Sequence, residues 1–300
     1  MEREKRFFKI RMLLKRMNLV FRKIRLLLMK IYEKFMAALT WAAATLTIGT
    51  LLFIVGFILV KGVPYIKPSL FSFTYNSENV SLMPAMISTV IMTLLSLLIA
   101  APLGIFSAIF LVEYAKRGNK MVGTIRMTTE TLSGIPSIVY GLFGLLFFVT
   151  FLGWGFSVLA GAFTLSIMIL PLIMRSSEEA LKSVPDTYRE GAFGLGAGKL
   201  RTVFRIILPS AMPGILAGII LSIGRIVGET AALIYTAGTV AQIPTDAMQS
   251  ARTLSVHMYA LSSEGLHINE GYATAVVLLL VVVFINTVSA KLAKRIGRMT

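Results

Sequence analysis

The sequence predicts an all-α, polytopic membrane protein with six transmembrane helices, and three observations carry that expectation. The 300-residue chain is 56 % hydrophobic and only 15 % charged, whereas water-soluble domains carry about a quarter charged residues. Six apolar stretches, near 36–60, 85–112, 127–151, 156–174, 207–236 and 271–290, match the roughly 20 residues a helix needs to cross a hydrocarbon core. Charge also alternates along the chain: segments 1–35, 113–126, 175–205 and 291–300 hold 26 of the 30 Lys and Arg residues. These segments fall on one side of the six spans, so the positive-inside rule predicts cytoplasmic termini and a cytoplasmic 175–205 loop. The net charge of +16 is then a topology signal, and no nucleic-acid partner is expected. With no Cys, disulfides, thiolate nucleophiles and sulfur metal sites are excluded.

Residues 1–35 form a basic N-terminal segment. Phe7, Ile10, Leu14, Met17, Phe21, Ile24, Leu28 and Ile31 recur at helical spacing between Lys and Arg, the pattern of a helix lying in the cytoplasmic membrane interface. The apolar run from Met36 to Val60 exceeds the core of a cleavable leader and predicts an anchor. With the external loop punctuated by Pro64 and Pro68, it fills 36–84. Residues 85–290 are the expected five-span core, with a cytoplasmic loop at 175–206, and 291–300 is a cytoplasmic tail.

Within the core, the second span follows Pro84 and ends at the basic turn EYAKRGNK. The third is interrupted by SGIPSIVYGLFG, where Gly134 and Pro136 free backbone groups that lipid cannot satisfy. That stretch packs on protein or lines a wet path. If Pro136 opens a half-helix, the break at Ser133, Gly134 and Ser137 aims a helix N-terminus at an anion; a kink absorbed by packing is the alternative. Arg126 and Glu130, four apart at the foot of this span, read as a capping ion pair, with an exit-side anion contact as the other reading. Pro171 interrupts the fourth span and Pro213 the fifth. The 237–270 stretch is the longest external loop, and its two histidines, His257 and His267, read as loop residues without metal-ligand clustering.

The fifth span holds LSIGRIVGETAALIYTAG. Counted from Pro213, Arg225 lies about 18 Å along a helix, close to the midplane. An intramembrane arginine costs roughly 3 kcal/mol or more unless paired or solvated, which marks it as functional by default. Glu229, four residues on, shares its helix face and neutralises it. Either the pair is a buried salt bridge holding helices in register, or Arg225 offers its planar fork of donors to an oxyanion while Glu229 keeps the empty pathway from stranding a charge.

The loop EGAFGLGAGKLRTVFRIILP, residues 190–209, invites a nucleotide-cradle reading that fails on spacing. A P-loop requires G-x-x-x-x-G-K-[ST], but Phe193 stands at the first glycine and Leu200 replaces the Mg²⁺-binding hydroxyl. Pro185 stops one short helix, and Thr187-Tyr188-Arg189-Glu190 has capping-box spacing for the next, with Glu190 reaching back to an orphan amide. Gly194, Gly196 and Gly198 permit a tight turn before KLRTVFRIILP re-enters the bilayer.

Glu190-Gly191-Ala192, three residues, Gly196, nine residues, Ile206, one residue and Leu208-Pro209 resemble the E-A-A-x₃-G-x₉-I-x-L-P loop of ABC-importer permeases, departing only at Gly191. Together with GIPSIVYGLFG and the Arg225 helix, the stretch from about 85 to 290 is similar to the PstA-type permeases of phosphate-specific ABC importers. The resemblance implies the MetI-like permease fold and a coupling helix, around Arg189 to Ala192, seated in a groove of the ATPase. It assigns phosphate passage to Arg225 and Glu229. It further implies a heterodimer with a sister permease, PstC, two copies of the ATPase PstB, and an external phosphate-binding protein, PstS. ATP-Mg would bind those ATPases, with no cofactor on this chain, in a prokaryotic cell membrane. The chain is then no enzyme but half of a pathway for inorganic phosphate. Permeases of other oxyanions, such as sulfate or molybdate, the sister permease itself, and a secondary anion carrier remain as alternatives.

Overall fold

The structure, a computed structural model, describes the backbone of residues 2–116 and 118–299. Among residues 2–27 it describes only the side chains of Met12, Met17 and Arg25, so the predicted interfacial positions Phe7, Ile10, Leu14, Phe21 and Ile24 lie outside the described side chains. The described residues contain helices and no strands. Contacts divide the chain into two units, Met1–Phe57 and Ile58–Thr300.

The first unit is helical throughout, within α1 (Glu2–Gly62). None of the apolar window in its Leu28–Tyr65 span is buried against this chain: Leu46, Trp41 and Phe53 are all exposed. Its length and apolar composition suit a membrane span.

In the second unit, two short 3₁₀ turns, Val63–Tyr65 and Pro68–Phe71, lead to α2 (Met83–Ile109), which continues as a π-helical turn to Tyr114. Then come α3 (Lys120–Ser133), α4 (Ser137–Gly144, extended in π geometry to Phe151) and α5 (Val158–Ser183). The chain continues with α6 (Asp186–Gly194), α7 (Lys199–Thr202), α8 (Leu208–Gly228), α9 (Ala231–Ile234), α10 (Leu254–Glu264) and α11 (Ile268–Met299). Among the described residues, five helices are long and apolar enough to cross a membrane, and the pair α3 and α4, bent by 100° at the break, makes a sixth if counted as one span. The predicted third span is therefore not a rod. Its first half, α3, is amphipathic, and only 137–151 is apolar throughout.

The helix α5 is central, with 67 % of its apolar window buried against 22–33 % for α2, α8 and α11. Met92 and Ala100 of α2 pack on Leu165, Met168 and Ile169 of α5, all at most 1 % exposed. Lipid tails are as apolar as these side chains, so association rests on close packing and on interhelical hydrogen bonds. The Ser96 hydroxyl donates to the Ala162 carbonyl (3.2 Å) and the Ser166 hydroxyl to the Ser96 carbonyl (3.1 Å). Pro171 and Pro213 sit inside α5 and α8 without ending either helix, so the predicted interruptions are absent, and α5 runs on to Ser183.

One end of this unit carries the basic loops, residues 115–119 and 184–198; the other carries the 63–82 stretch and α10. Where α4 crosses α9, Gly141 lies so close that a Cβ there would stand 2.8 Å from the Ala232 Cα. Gly141→Val must push backbone against backbone, an overpacking cost of about 1–3 kcal/mol. The expected result is a lower melting temperature in detergent; an unchanged one would show that the two segments are free to separate.

Candidate functional site

Both helix breaks meet in the apolar middle of the second unit. The helix α8 ends at Gly228, and its last turn carries Arg225. Ile226 and, beyond the break, Leu233 pack in the same core cluster as the middles of α2 and α5, so α8 stops inside the apolar layer rather than at its edge. Backbone freed at that depth needs partners. Ser255 donates to the Glu229 carbonyl (2.6 Å), and Glu229 Oε1 accepts the Ala232 N–H (3.0 Å). The other break is tied the same way: the Tyr140 hydroxyl donates to the Leu132 carbonyl (2.7 Å), and Ser133 donates to the Glu130 carbonyl (2.7 Å).

Arg225 is half-buried beside these breaks, and its charge acts on the Tyr140 hydroxyl. The expected Arg225–Glu229 pair does not form. Glu229 leaves the helix with extended backbone (φ −71°, ψ 129°), its buried carboxylate caps the following turn, and no ion pair to Arg225 exists among the described residues. The four-residue spacing placed both on one face only if the helix continued, and it does not. Arg225 is left as an arginine in an apolar layer with its donor fork uncommitted.

Arg126 and Glu130 do not pair either. Arg126 Nε lies 2.6 Å from Glu178 of α5, which Lys182 also approaches at 2.6 Å. Glu130 is exposed, within electrostatic range of Arg175. Arg126 thus fastens α3 to α5. Ser133 and Gly134 are exposed at the break and Ser137 opens α4.

At the basic end, α6 starts one residue before the predicted box, with Pro185 at its N-cap, and no side-chain cap forms. Glu190 is instead exposed on the helix flank beside Gly191, while Ala192 is buried. The helix closes in a Schellman turn: Gly196 N donates to the Phe193 carbonyl (2.9 Å) and Ala197 N to the Ala192 carbonyl (3.0 Å). This requires a left-handed residue, and Gly196 supplies it at φ +81°. Of the three glycines expected to form the hinge, only Gly196 is needed for its backbone. Ile206 lies in a π-helical turn, Val203–Ile207, and Leu208-Pro209 then begin α8.

Arg189 turns inward onto its own chain. Its Nη2 donates to Glu113 Oε1 (2.7 Å) and the Leu181 carbonyl (3.0 Å), and its Nη1 to the Val184 carbonyl (2.9 Å) and Asp186 (3.1 Å). One guanidinium therefore binds α6 to the ends of α2 and α5. A cleft of about 800 Å³ lies beside it, lined by Glu113, Lys116, Arg126, Lys182 and Lys199 among others. Sequence reasoning missed Glu113, since nothing local marks a partner 76 residues away.

It missed His257 as well. The 237–270 stretch folds α10 within it, and His257 is fully buried rather than a loop residue. Burial first, then the neighbouring Arg252 charge, depresses its pKa to about 3, against a smaller opposite pull from the Val80 backbone. An unfolded imidazole titrates near 6.5. Between those values the unfolded chain takes up a proton that the folded chain refuses. The stabilising contribution is complete above about pH 6.5 and is lost as pH falls towards 3. Melting temperature should fall as pH is lowered from about 7 to 4, and His257→Asn should flatten that slope; parallel slopes would contradict it.

Apolar spans, a bent span and a broken one meeting at an arginine, and a helical loop clamped to their basic ends define a multi-pass membrane permease subunit. The chain belongs to the family of binding-protein-dependent transport system inner membrane components, which matches residues 100–298. It is 39 % identical over 185 residues to a probable ABC transporter permease protein, YqgI, of Bacillus subtilis, covering 57 % of this chain and 63 % of that one. It is 35 % identical over 209 residues to phosphate transport system permease protein PstA 1 of Mycobacterium tuberculosis, covering 69 % and 68 %. A PstA homolog of Mycoplasma pneumoniae is 31 % identical over 302 residues, 97 % of this chain but 44 % of that protein. Among solved structures, a bacterial alginate ABC transporter in complex with its alginate-bound periplasmic protein superposes with a TM-score of 0.62 at 17 % identity, over 86 % of this chain and 95 % of that one. The inward-facing MetNI methionine ABC transporter gives 0.56 at 19 %, over 72 % and 94 %. These two establish the fold, which is the MetI-like permease fold the resemblance implied.

Proposed function

We propose that this chain is the transmembrane permease subunit of an ATP-driven importer of inorganic phosphate, forming half of the pathway. The observation that carries the reading is Arg225: a permanently charged fork, unpaired among the described residues, held where two helices break inside the apolar layer. Such a cation is stabilised by an anion that visits it, and a bidentate oxyanion matches its geometry. The names of the M. tuberculosis and M. pneumoniae relatives support phosphate as that anion.

The other half of the pathway comes from a PstC-like sister permease, the energy from a PstB-like ATPase dimer that binds ATP-Mg, and the cargo from a PstS-like external protein. No covalent chemistry occurs on this chain. The basic loops face the cytoplasm with both termini, by the positive-inside rule. ATPase closure reaches α6 through its exposed flank, Glu190 and Gly191, and passes through Arg189 to α2 and α5. Access to Arg225 then switches from one side to the other.

The test is uptake of labelled phosphate by the importer reconstituted with its partners, competed by sulfate and molybdate. Phosphate uptake resistant to both competitors is expected. Uptake of sulfate or molybdate in its place would reassign the cargo, and uptake without ATP would remove the ATP-driven mechanism.

A further inference from the structure

At the end opposite the basic loops lies a second buried cation. Arg252 is 5 % exposed, and its guanidinium carbon sits 4.6 Å from the centroid of the Tyr75 ring. No carboxylate lies within 4 Å of it among the described residues, and its Nε and Nη2 donate to nothing. His257 meets the same Tyr75 ring edge-on at 6.1 Å. Neither of its nitrogens reaches a partner at full hydrogen-bond geometry, and the Val80 backbone is the backbone polar group acting on the ring. Thr253, Leu254 and Ser255 tie this cluster to the rest. Leu254 N donates to Thr89 of α2 (2.8 Å), and Ser255 donates to the carbonyl of Glu229, just beyond the helix that carries Arg225.

An arginine does not shed its proton, so a buried guanidinium with idle donors is held against a large desolvation penalty. The cation–π contact with Tyr75 offsets part of it, while Nε and Nη2 keep their donors idle. Those donors fit the oxygens of a tetrahedral anion. The neutral imidazole beside them adds one donor and one acceptor. Hydrogen phosphate carries both P–O⁻ acceptors and a P–OH donor, whereas sulfate at neutral pH has acceptors only. The pairing of fork and neutral imidazole therefore suits a protonated oxyanion.

We propose that Arg252, His257 and Tyr75 form a second oxyanion site, an outer station that holds hydrogen phosphate before it reaches Arg225. This deepens the phosphate reading above and rests on it.

The test uses the importer purified with its sister permease and ATPase but without the external binding protein, with melting temperature followed against inorganic phosphate and sulfate. In an Arg225→Gln background, phosphate should still raise the melting temperature and sulfate should not. Adding Arg252→Gln should remove the phosphate shift. Arg252→Lys keeps the charge but not the fork, and should need at least about tenfold more phosphate for half the shift. A phosphate shift unchanged in Arg252→Gln overturns the proposal. A structure of the assembled wild-type importer in phosphate, which needs no variant to fold, should show a tetrahedral anion against Arg252. A partner-subunit carboxylate in that place, or nothing there, overturns it too. If wild-type importer moves phosphate while these tests fail, only the outer station falls; if it moves none, the permease reading falls instead.

Discussion

Arg225→Gln should cut phosphate uptake by the assembled importer roughly 30-fold or more while assembly and ATP binding persist. The reasoning is that glutamine keeps the helix and most of the side-chain volume but removes the permanent charge. Losing one partner of a desolvated charge contact costs about 2–5 kcal/mol, so uptake should drop roughly 30-fold or more. Because Arg225 forms no ion pair in the described structure, the change orphans no carboxylate and should leave the melting temperature close to wild type. That separates a pathway role from a structural one. A correctly inserted Arg225→Gln importer with normal uptake would remove the residue from the pathway. Glu229 behaves differently under the same logic. Its carboxylate caps the turn at Ala232, so Glu229→Gln, which still offers an oxygen, should retain most uptake, whereas Glu229→Ala should loosen the break.

Arg189→Ala should uncouple ATP hydrolysis from transport and destabilise the basic end at once. The Glu113 side chain is 7 % exposed, and removing its partner leaves a buried carboxylate alone, a loss of about 3–5 kcal/mol. Two carbonyls at the end of α5, of Leu181 and Val184, lose their donor in the same step. The expected outcome is a lower melting temperature and more ATP spent per phosphate moved. In the Arg189→Ala, Glu113→Ala double variant, stability should recover in part because the stranded charge is gone, while coupling stays poor because α6 is no longer held. Arg189→Lys should be intermediate, since an ammonium on one stem cannot reach a carboxylate and two carbonyls as a planar fork does. If stability and coupling are additive across the two sites, the clamp is not a unit.

The coupling loop was legible because its motif is local. Glu190 to Pro209 is contiguous, and Gly196 occupies the one position whose backbone, at φ +81°, demands glycine. The start of α6 was misread for an instructive reason: the capping-box spacing of Thr187 and Glu190 also occurs inside a helix, and Pro185 had already set the helix start. The Arg225–Glu229 and Arg126–Glu130 pairs failed on a shared assumption, that ionisable groups four apart face one another and nobody else. Glu229 lay just beyond a helix end at Gly228, and Arg126 found Glu178 on another helix. Arg252 is the one Lys or Arg in the 237–270 stretch, beside Asp246, Glu264 and Glu270, but nothing in the sequence showed it to be buried.

Composition and hydropathy set the membrane spans and the basic side of the chain, because transfer of apolar helices into lipid is decided residue by residue along a window of about 20. The motif at 190–209 marked a helix and glycine turn at the basic end. Which charges are satisfied and which are idle was settled only by packing, since an ion pair depends on distances of a few ångströms between segments far apart in the chain. The breaks at 133–136 and 228–231 are brought together at Gly141 and Ala232, and Arg225 has no ion-pair partner there among the described residues. No spacing rule contains that arrangement, because it depends on where two distant breaks pack, and it is the arrangement on which the proposed anion passage rests.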